Sequence, residues 1–134
     1  MEIQIAQVQG EIPVTVVRAA GVFDSSSVEE FMEPTQQAID EGAENLLIDL
    51  SGISFMSSIG IRILNALYFQ LHPKGSPDQD KEIAERIHRG EYQAPHLKLL
   101  CPVENVAKVL RMAGMDQYIE IFTDEQGALA AFSG

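Results

Sequence analysis

Residues 46–64 read Leu46-Leu47-Ile48-Asp49-Leu50-Ser51-Gly52-Ile53-Ser54-Phe55-Met56-Ser57-Ser58-Ile59-Gly60-Ile61-Arg62-Ile63-Leu64, and the change of pattern within them decides the fold. The run from Asn45 to Leu50 is almost wholly apolar yet too short for a helix, as expected of a strand buried on both faces. A small polar loop follows. From about Ile59 the apolar residues take helical spacing, which puts Leu64, Leu67, Tyr68 and Leu71 on the inward side of a helix. A buried strand feeding a helix is the first half of a βαβ unit.

The flanking sequence repeats the alternation. Ile3 to Val8 and Val14 to Ala19 predict two strands, the second opened by Pro13, with Gln9-Gly10-Glu11 as the turn of a hairpin. Val28, Phe31, Met32, Thr35 and Ile39 lie on one helical face, and Gly42 stops that helix. Ser26 and Ser27, each followed three residues later by Glu29 and Glu30, predict a capping box at its start. Downstream, His96 to Cys101 predicts a strand, and Val103, Val106, Ala107 and Leu110 mark a helix closed by Gly114. Ile119 to Phe122 is a last strand, and Asp124 caps a final helix that buries Leu129 and Phe132. The order is β-β-α-β-α-β-α-β-α, which predicts an α/β fold with a mixed, mainly parallel sheet. Leu47, Ile48, Leu64, Leu67, Leu99, Leu110 and Phe132 are the expected core.

Residues 73–95 break the rhythm, with four basic and five acidic residues in a Pro- and Gly-bearing stretch between the second helix and the fourth strand. They are expected to form a mobile insertion within one domain spanning 1–134, since connections this long in a compact domain are functional or disordered.

Composition narrows the function classes. The chain has 134 residues and a formal charge of −11, with 46% of its residues apolar. That length fits one domain. A surface so negative repels phosphate backbones and anionic lipid headgroups, so neither nucleic acid nor membrane insertion is expected. A single cysteine makes no intrachain disulfide and no thiolate zinc cluster. The N-terminal residues lack the basic start and apolar run of a signal peptide, and a cytoplasmic location is expected. His72, His88 and His96 match no compact metal-ligand spacing and are read as surface residues; Cys101 is read as core packing. Phosphate-cradling Gly-rich loops and hydrolase elbow motifs are absent, so neither a metal nor a cofactor nor enzymatic activity is expected.

The polar residues around the central loop allow two readings. A serine at Ser57 or Ser58 caps the following helix by accepting a backbone N–H bond. Alternatively it is a phosphorylation site, because a phosphate at a helix N-terminus meets free N–H groups and the positive dipole end. Gly60 costs helix propensity and removes side-chain bulk where another molecule approaches. Arg62, four residues after Ser58, shares its helix face and either holds a phosphate or is solvated surface. Asp24 and Asp49 are placed at the carboxyl ends of strands, where open α/β sheets form their crevice. Asp24 is a turn residue or a partner contact, and Asp49 a loop-bonding residue.

The stretch from Asp49-Leu50-Ser51 through Phe55 to Ser57-Ser58-Ile59-Gly60 resembles the signature of STAS-domain anti-sigma-factor antagonists. In that family a strand ending Asp-Leu-Ser and an aromatic precede Asp-Ser-Ser-Gly or Ser-Ser-x-Gly at the start of a helix. Gly21-Val22-Phe23-Asp24 similarly resembles the end of the family's second strand, and the element order matches over almost the whole chain apart from 73–95. Carried over residue by residue, the family's phosphoacceptor falls on Ser58, with adjacent Ser57, which stands where many members have Asp, as the second candidate. A partner-binding surface of Asp24, Ser57, Ser58, Ile59, Gly60 and Arg62 is expected.

What the resemblance implies about function is partner switching by a regulatory module. Unphosphorylated, the domain binds an anti-sigma factor with serine-kinase activity and frees a sigma factor. The kinase phosphorylates Ser58, the complex dissociates, and a serine phosphatase resets it. A monomer or weak homo-oligomer is expected. The alternatives are a scaffold or stressosome-like subunit, and a non-phosphorylated module that binds a ligand or serves a transporter.

Overall fold

Five strands pair in the order of the sequence in a computed structural model that describes residues 1–71 and 94–132. Strand β1 (Glu2–Gln9) runs antiparallel to β2 (Pro13–Phe23), with Gln9 opposite Pro13 closing the hairpin. Strands β2, β3 (Leu46–Met56), β4 (Leu97–Leu100) and β5 (Ile121–Phe122) are parallel. Each parallel step needs a helical crossover. Helix α1 (Val28–Asp40) links β2 to β3, α2 (Ser58–Leu71) leaves β3, and α3 (Glu104–Met112) links β4 to β5. Helix α4 (Glu125–Ala131) ends the described chain.

Because the strands are added in one direction and crossovers share one hand, α1, α2 and α3 fall on one face of the sheet. There Phe31, Leu64, Leu67, Val106 and Leu110 pack against Val17, Ile48, Leu50 and Leu99 in the larger core. The other face is covered by α4, whose Ala128 and following Phe132 close over Val14, Val16, Leu47 and Leu100. All seven residues expected in the core are fully buried. Leu129 lies at the margin of that second core, half-buried.

The expected element order holds, but three local readings change. Strand β3 does not end at Leu50; it continues to Met56 through the residues read as a polar loop. Arg18 pairs with Asp49 but Ala20 with Gly52, and Gly21 pairs with Ile53 but Val22 with Phe55, so β3 holds one extra residue at each of two bulges. These bulges leave Leu50, Ile53 and Met56 buried at a spacing of three. Gly52 makes the first possible, since a Cβ there would stand 2.8 Å from the Ala19 carbonyl oxygen. Asp49 is therefore a mid-strand residue rather than a strand-end one. The capping box of α1 does not form: Ser27 precedes the helix without capping it. Its hydroxyl instead donates to the Val22 carbonyl at 2.7 Å. Helix α1 does stop at Gly42, which takes a left-handed φ of 112°. The segment 73–95, expected to be a mobile insertion, lies outside the described residues except for Ala94 and Pro95.

Candidate functional site

Strands β2 and β3 finish side by side, with Phe23 opposite Met56, and the chain turns there directly into α2. The turn is fixed by backbone and side chain together. The Ser57 N–H donates to the Phe23 carbonyl at 2.9 Å. The Ser57 Oγ accepts from the Ile59 N–H at 3.2 Å, which satisfies one of the unpaired donors of the first helical turn. Ser57 thus caps α2. Ser58, the first helical residue, is exposed, and among the described residues its hydroxyl has no hydrogen-bond partner.

The first turn of α2 carries no acidic residue, whereas those of α1, α3 and α4 carry Glu29 with Glu30, Glu104 and Glu125. Among the described α-helices, α2 is therefore the one whose positive dipole end has no carboxylate in its own first turn. Arg62, one turn further on, is exposed and makes no ion pair among the described residues. Ile59 is half-buried.

Gly60 is placed differently from the sequence expectation. It is buried and faces the sheet, where a Cβ would lie 2.5 Å from Met56 Cγ and 3.2 Å from Phe23 Cγ. The missing side chain lets α2 approach the ends of β2 and β3; it does not open an outer approach for a partner.

Asp24 lies just beyond β2 at the same end. Its Oδ1 accepts from the Ser26 hydroxyl at 2.6 Å and the Ser26 N–H at 2.9 Å. These bonds, the hydroxyl's first, hold the Asp24 carboxyl below the ordinary carboxylate range. Asp49 is remote from this constellation in role. It is nearly buried in β3, with Oδ1 accepting from the Ser51 hydroxyl and N–H at 2.7 and 3.0 Å. Its Oδ2 is 3.0 Å from Arg18 Nη1, and Arg18 Nη2 reaches Glu125 at 2.7 Å. This bridge ties α4 to the sheet. The structure thus brings Asp24, Ser57, Ser58 and the first turn of α2 to one end of the sheet, and assigns Asp49 to internal anchoring.

A STAS domain family model matches residues 4–76. The chain belongs to the STAS domain family. An anti-sigma factor antagonist from Mycobacterium paratuberculosis has a similar structure at 19% sequence identity, with a TM-score of 0.71, covering 98% of this chain and 94% of that one. The anti-sigma factor antagonist SpoIIAA, solved in its unphosphorylated form, is similar at 23% identity and a TM-score of 0.64, covering 95% and 93%. At these identities the likeness shows the fold.

Two residues of this STAS domain escaped the sequence reading of the site. Val22 and Phe55 are cross-strand partners at the end of β2 and β3, and both are large apolar side chains left 43% and 49% exposed. The signal was an aromatic isolated among Ser54, Ser57 and Ser58, too short a pattern to assign a face. Asn105 on α3 was also unforeseen; its Nδ2 donates to the Ser54 carbonyl at 2.9 Å and ties α3 to the second bulge. His96 Nδ1 lies 2.9 Å from Asn45 Oδ1, which accepts from the Nδ1–H tautomer, at the opposite end of β3. Cys101 follows β4 half-buried at a φ of 52°, its thiol donating to the Thr123 carbonyl. Burial, then Asp49 and the other nearby carboxylates, push the thiol up. Among the described residues no helix is long and apolar enough to cross a membrane.

Proposed function

We propose that this STAS domain is an anti-sigma-factor antagonist that works by partner switching, a regulatory binding module of one domain acting in the cytoplasm. In this reading the unphosphorylated form docks on an anti-sigma factor with serine-kinase activity through the end of the sheet that carries Asp24, Phe55, Ser58 and Arg62. Phosphorylation of Ser58 releases it, and a serine phosphatase restores it. The observation that carries the proposal is the division of labour between the two serines. Ser57 is engaged in the helix cap, while Ser58 is exposed at the head of α2 and its hydroxyl has no hydrogen-bond partner among the described residues. The names of two structural neighbours, both anti-sigma factor antagonists, support the same reading.

The physics of the switch is local. A phosphate adds about 1.5 to 2 negative charges at pH 7. The N-terminal N–H groups of α2 hold that charge without disturbing the fold, while a docked interface loses its complementarity. A loss of roughly 10²-fold in affinity, about 2.7 kcal/mol, exchanges partners. The test is incubation with the cognate kinase and ATP, followed by mass spectrometry and binding measurements. Phosphate is expected on Ser58. Ser58→Ala is expected to stay bound in the presence of ATP, and Ser58→Asp to bind weakly. Phosphate on Ser57 would move the site by one residue, and phosphate on neither would leave only the cap.

A further inference from the structure

Helix α2 contains one charged residue, Arg62, in its fourteen positions. Its side chain is exposed and makes no ion pair among the described residues, although the chain carries twenty acidic residues against nine basic ones. The other described arginines are engaged: Arg18 with Asp49 and Glu125, Arg111 with Glu104. We infer that Arg62 is the phosphate-holding residue of this site, a guanidinium that closes over a phosphoryl group on Ser58. The inference rests on the reading of Ser58 as the modified residue and adds to it the group that receives the charge.

Helical geometry supplies the reach. Residues four apart are neighbours on one face, with Cβ atoms about 5–6 Å apart. Helical side chains lean toward the N-terminus, which puts the turn that begins at Ser58 within reach of Arg62. An anion placed N-terminal to a cation at this spacing is also the favoured orientation. A guanidinium offers two parallel N–H donors to a phosphate, which an ammonium does not. No carboxylate on α2 competes for it. The acids on neighbouring elements oppose the phosphate rather than replace Arg62: Asp24 is turned to Ser26, Glu30 is paired with the N-terminal amine at 2.9 Å, and Glu104 with Arg111 at 3.1 Å; Glu29 is exposed.

The experiment uses full-length protein with phosphoserine inserted at position 58 during translation, so that no kinase is needed. A phosphorus NMR titration reads its second pKa, ordinarily about 6. Arg62→Gln is expected to raise that midpoint by a few tenths of a unit, the size of an exposed pair four residues apart. Arg62→Lys is expected to restore part of the shift, and added salt to shrink the difference between wild type and Arg62→Gln. Asp24→Asn should lower the midpoint in both backgrounds, which separates the field of that acid from the effect of Arg62. Equal midpoints in wild type and Arg62→Gln, with both proteins folded by circular dichroism, would overturn the assignment. A kinase that leaves Ser58 unmodified would instead refute the proposed function, and would not alter this titration.

Discussion

Gly60→Ala measures how closely α2 is held against the sheet at the site. In an exposed helix interior the exchange stabilises by up to about 1 kcal/mol, and by less in a first turn. Here the added Cβ would stand 2.5 Å from Met56 Cγ and 3.2 Å from both Met56 Sδ and Phe23 Cγ. Carbon atoms pack at about 3.5–4.0 Å, so the closest overlap is about 1 Å. Neither neighbour has room to retreat, since Met56 is 2% exposed and Phe23 fully buried. Overpacking of this kind costs about 1–3 kcal/mol, which outweighs the propensity gain and leaves a net loss of about 1–2 kcal/mol. Urea unfolding followed by circular dichroism is the assay, with a lower midpoint and an unchanged slope as the expected result. Removing the obstruction with Met56→Ala should recover part of the loss, a coupling of about 0.5 kcal/mol or more in the double-mutant cycle. A Gly60→Ala protein as stable as wild type, or more so, would refute the inward placement of this glycine.

Ile48→Ala, at a fully buried position in the central strand, should cost about 2–5 kcal/mol in the same assay. For Asp49, burial acts to raise the carboxyl, but the bonds from Ser51 and the Arg18 guanidinium outweigh it and hold the group below its ordinary range. The folded value therefore lies below the unfolded one, so Asp49 stabilises the fold above about pH 4 and loses that contribution as pH falls through its folded value. The stability gap between wild type and Asp49→Asn, measured by urea unfolding against pH, should be constant near neutrality and narrow below about pH 4; a gap that widens in acid contradicts the sign. Lys98, 2% exposed, holds the Ala94 carbonyl at 3.2 Å and Glu120 Oε1 at 2.9 Å beneath the Phe132 ring. Glu120→Gln, which leaves that ammonium without its counter-charge, should destabilise by about 1–3 kcal/mol and by more than Lys98→Met in thermal or urea unfolding.

The architecture was legible because burial writes itself into period. The stripe of Leu64, Leu67 and Tyr68, and the apolar run through Leu47 and Ile48, each need a partner surface, and only one element type fits each length. What was not legible was decided by contacts between segments distant in sequence. Ser51-Gly52 carries turn chemistry, and reads as a loop until the pairing with Ala20 shows a bulge. Ser27 with Glu30 has capping-box spacing, but the Ser27 Oγ accepts from the Asp24 N–H at 3.1 Å while its proton goes to the Val22 carbonyl, so the hydroxyl is turned to the strand end. Arg18 and Asp49 are thirty-one residues apart and meet through parallel pairing, which local sequence does not encode. The inward face of Gly60 was within reach: it lies four residues before Leu64 and seven before Leu67, on the stripe that α2 buries.

The replacement of the family's common Asp by Ser57 gains its meaning from the same geometry. The position caps α2, and Ser and Asp cap helices about equally well, so the local fold does not depend on which is present. The difference lies in charge. An Asp at this position would place a carboxylate one residue from any phosphate on Ser58, and would partly neutralise the positive helix end that receives it. With Ser57 there, the first turn of α2 holds no acid, and the first charge along the helix is the Arg62 cation. Under the proposed phosphorylation of Ser58, the cap and the receptor for negative charge would be separate devices. Ser57 fixes the backbone through a neutral bond, and in that reading the attraction for a phosphate would be left to the helix N-terminus and to Arg62. On a protein of net charge −11, the first turn of α2 is a place whose own residues add no carboxylate, and the first charge along the helix is a cation.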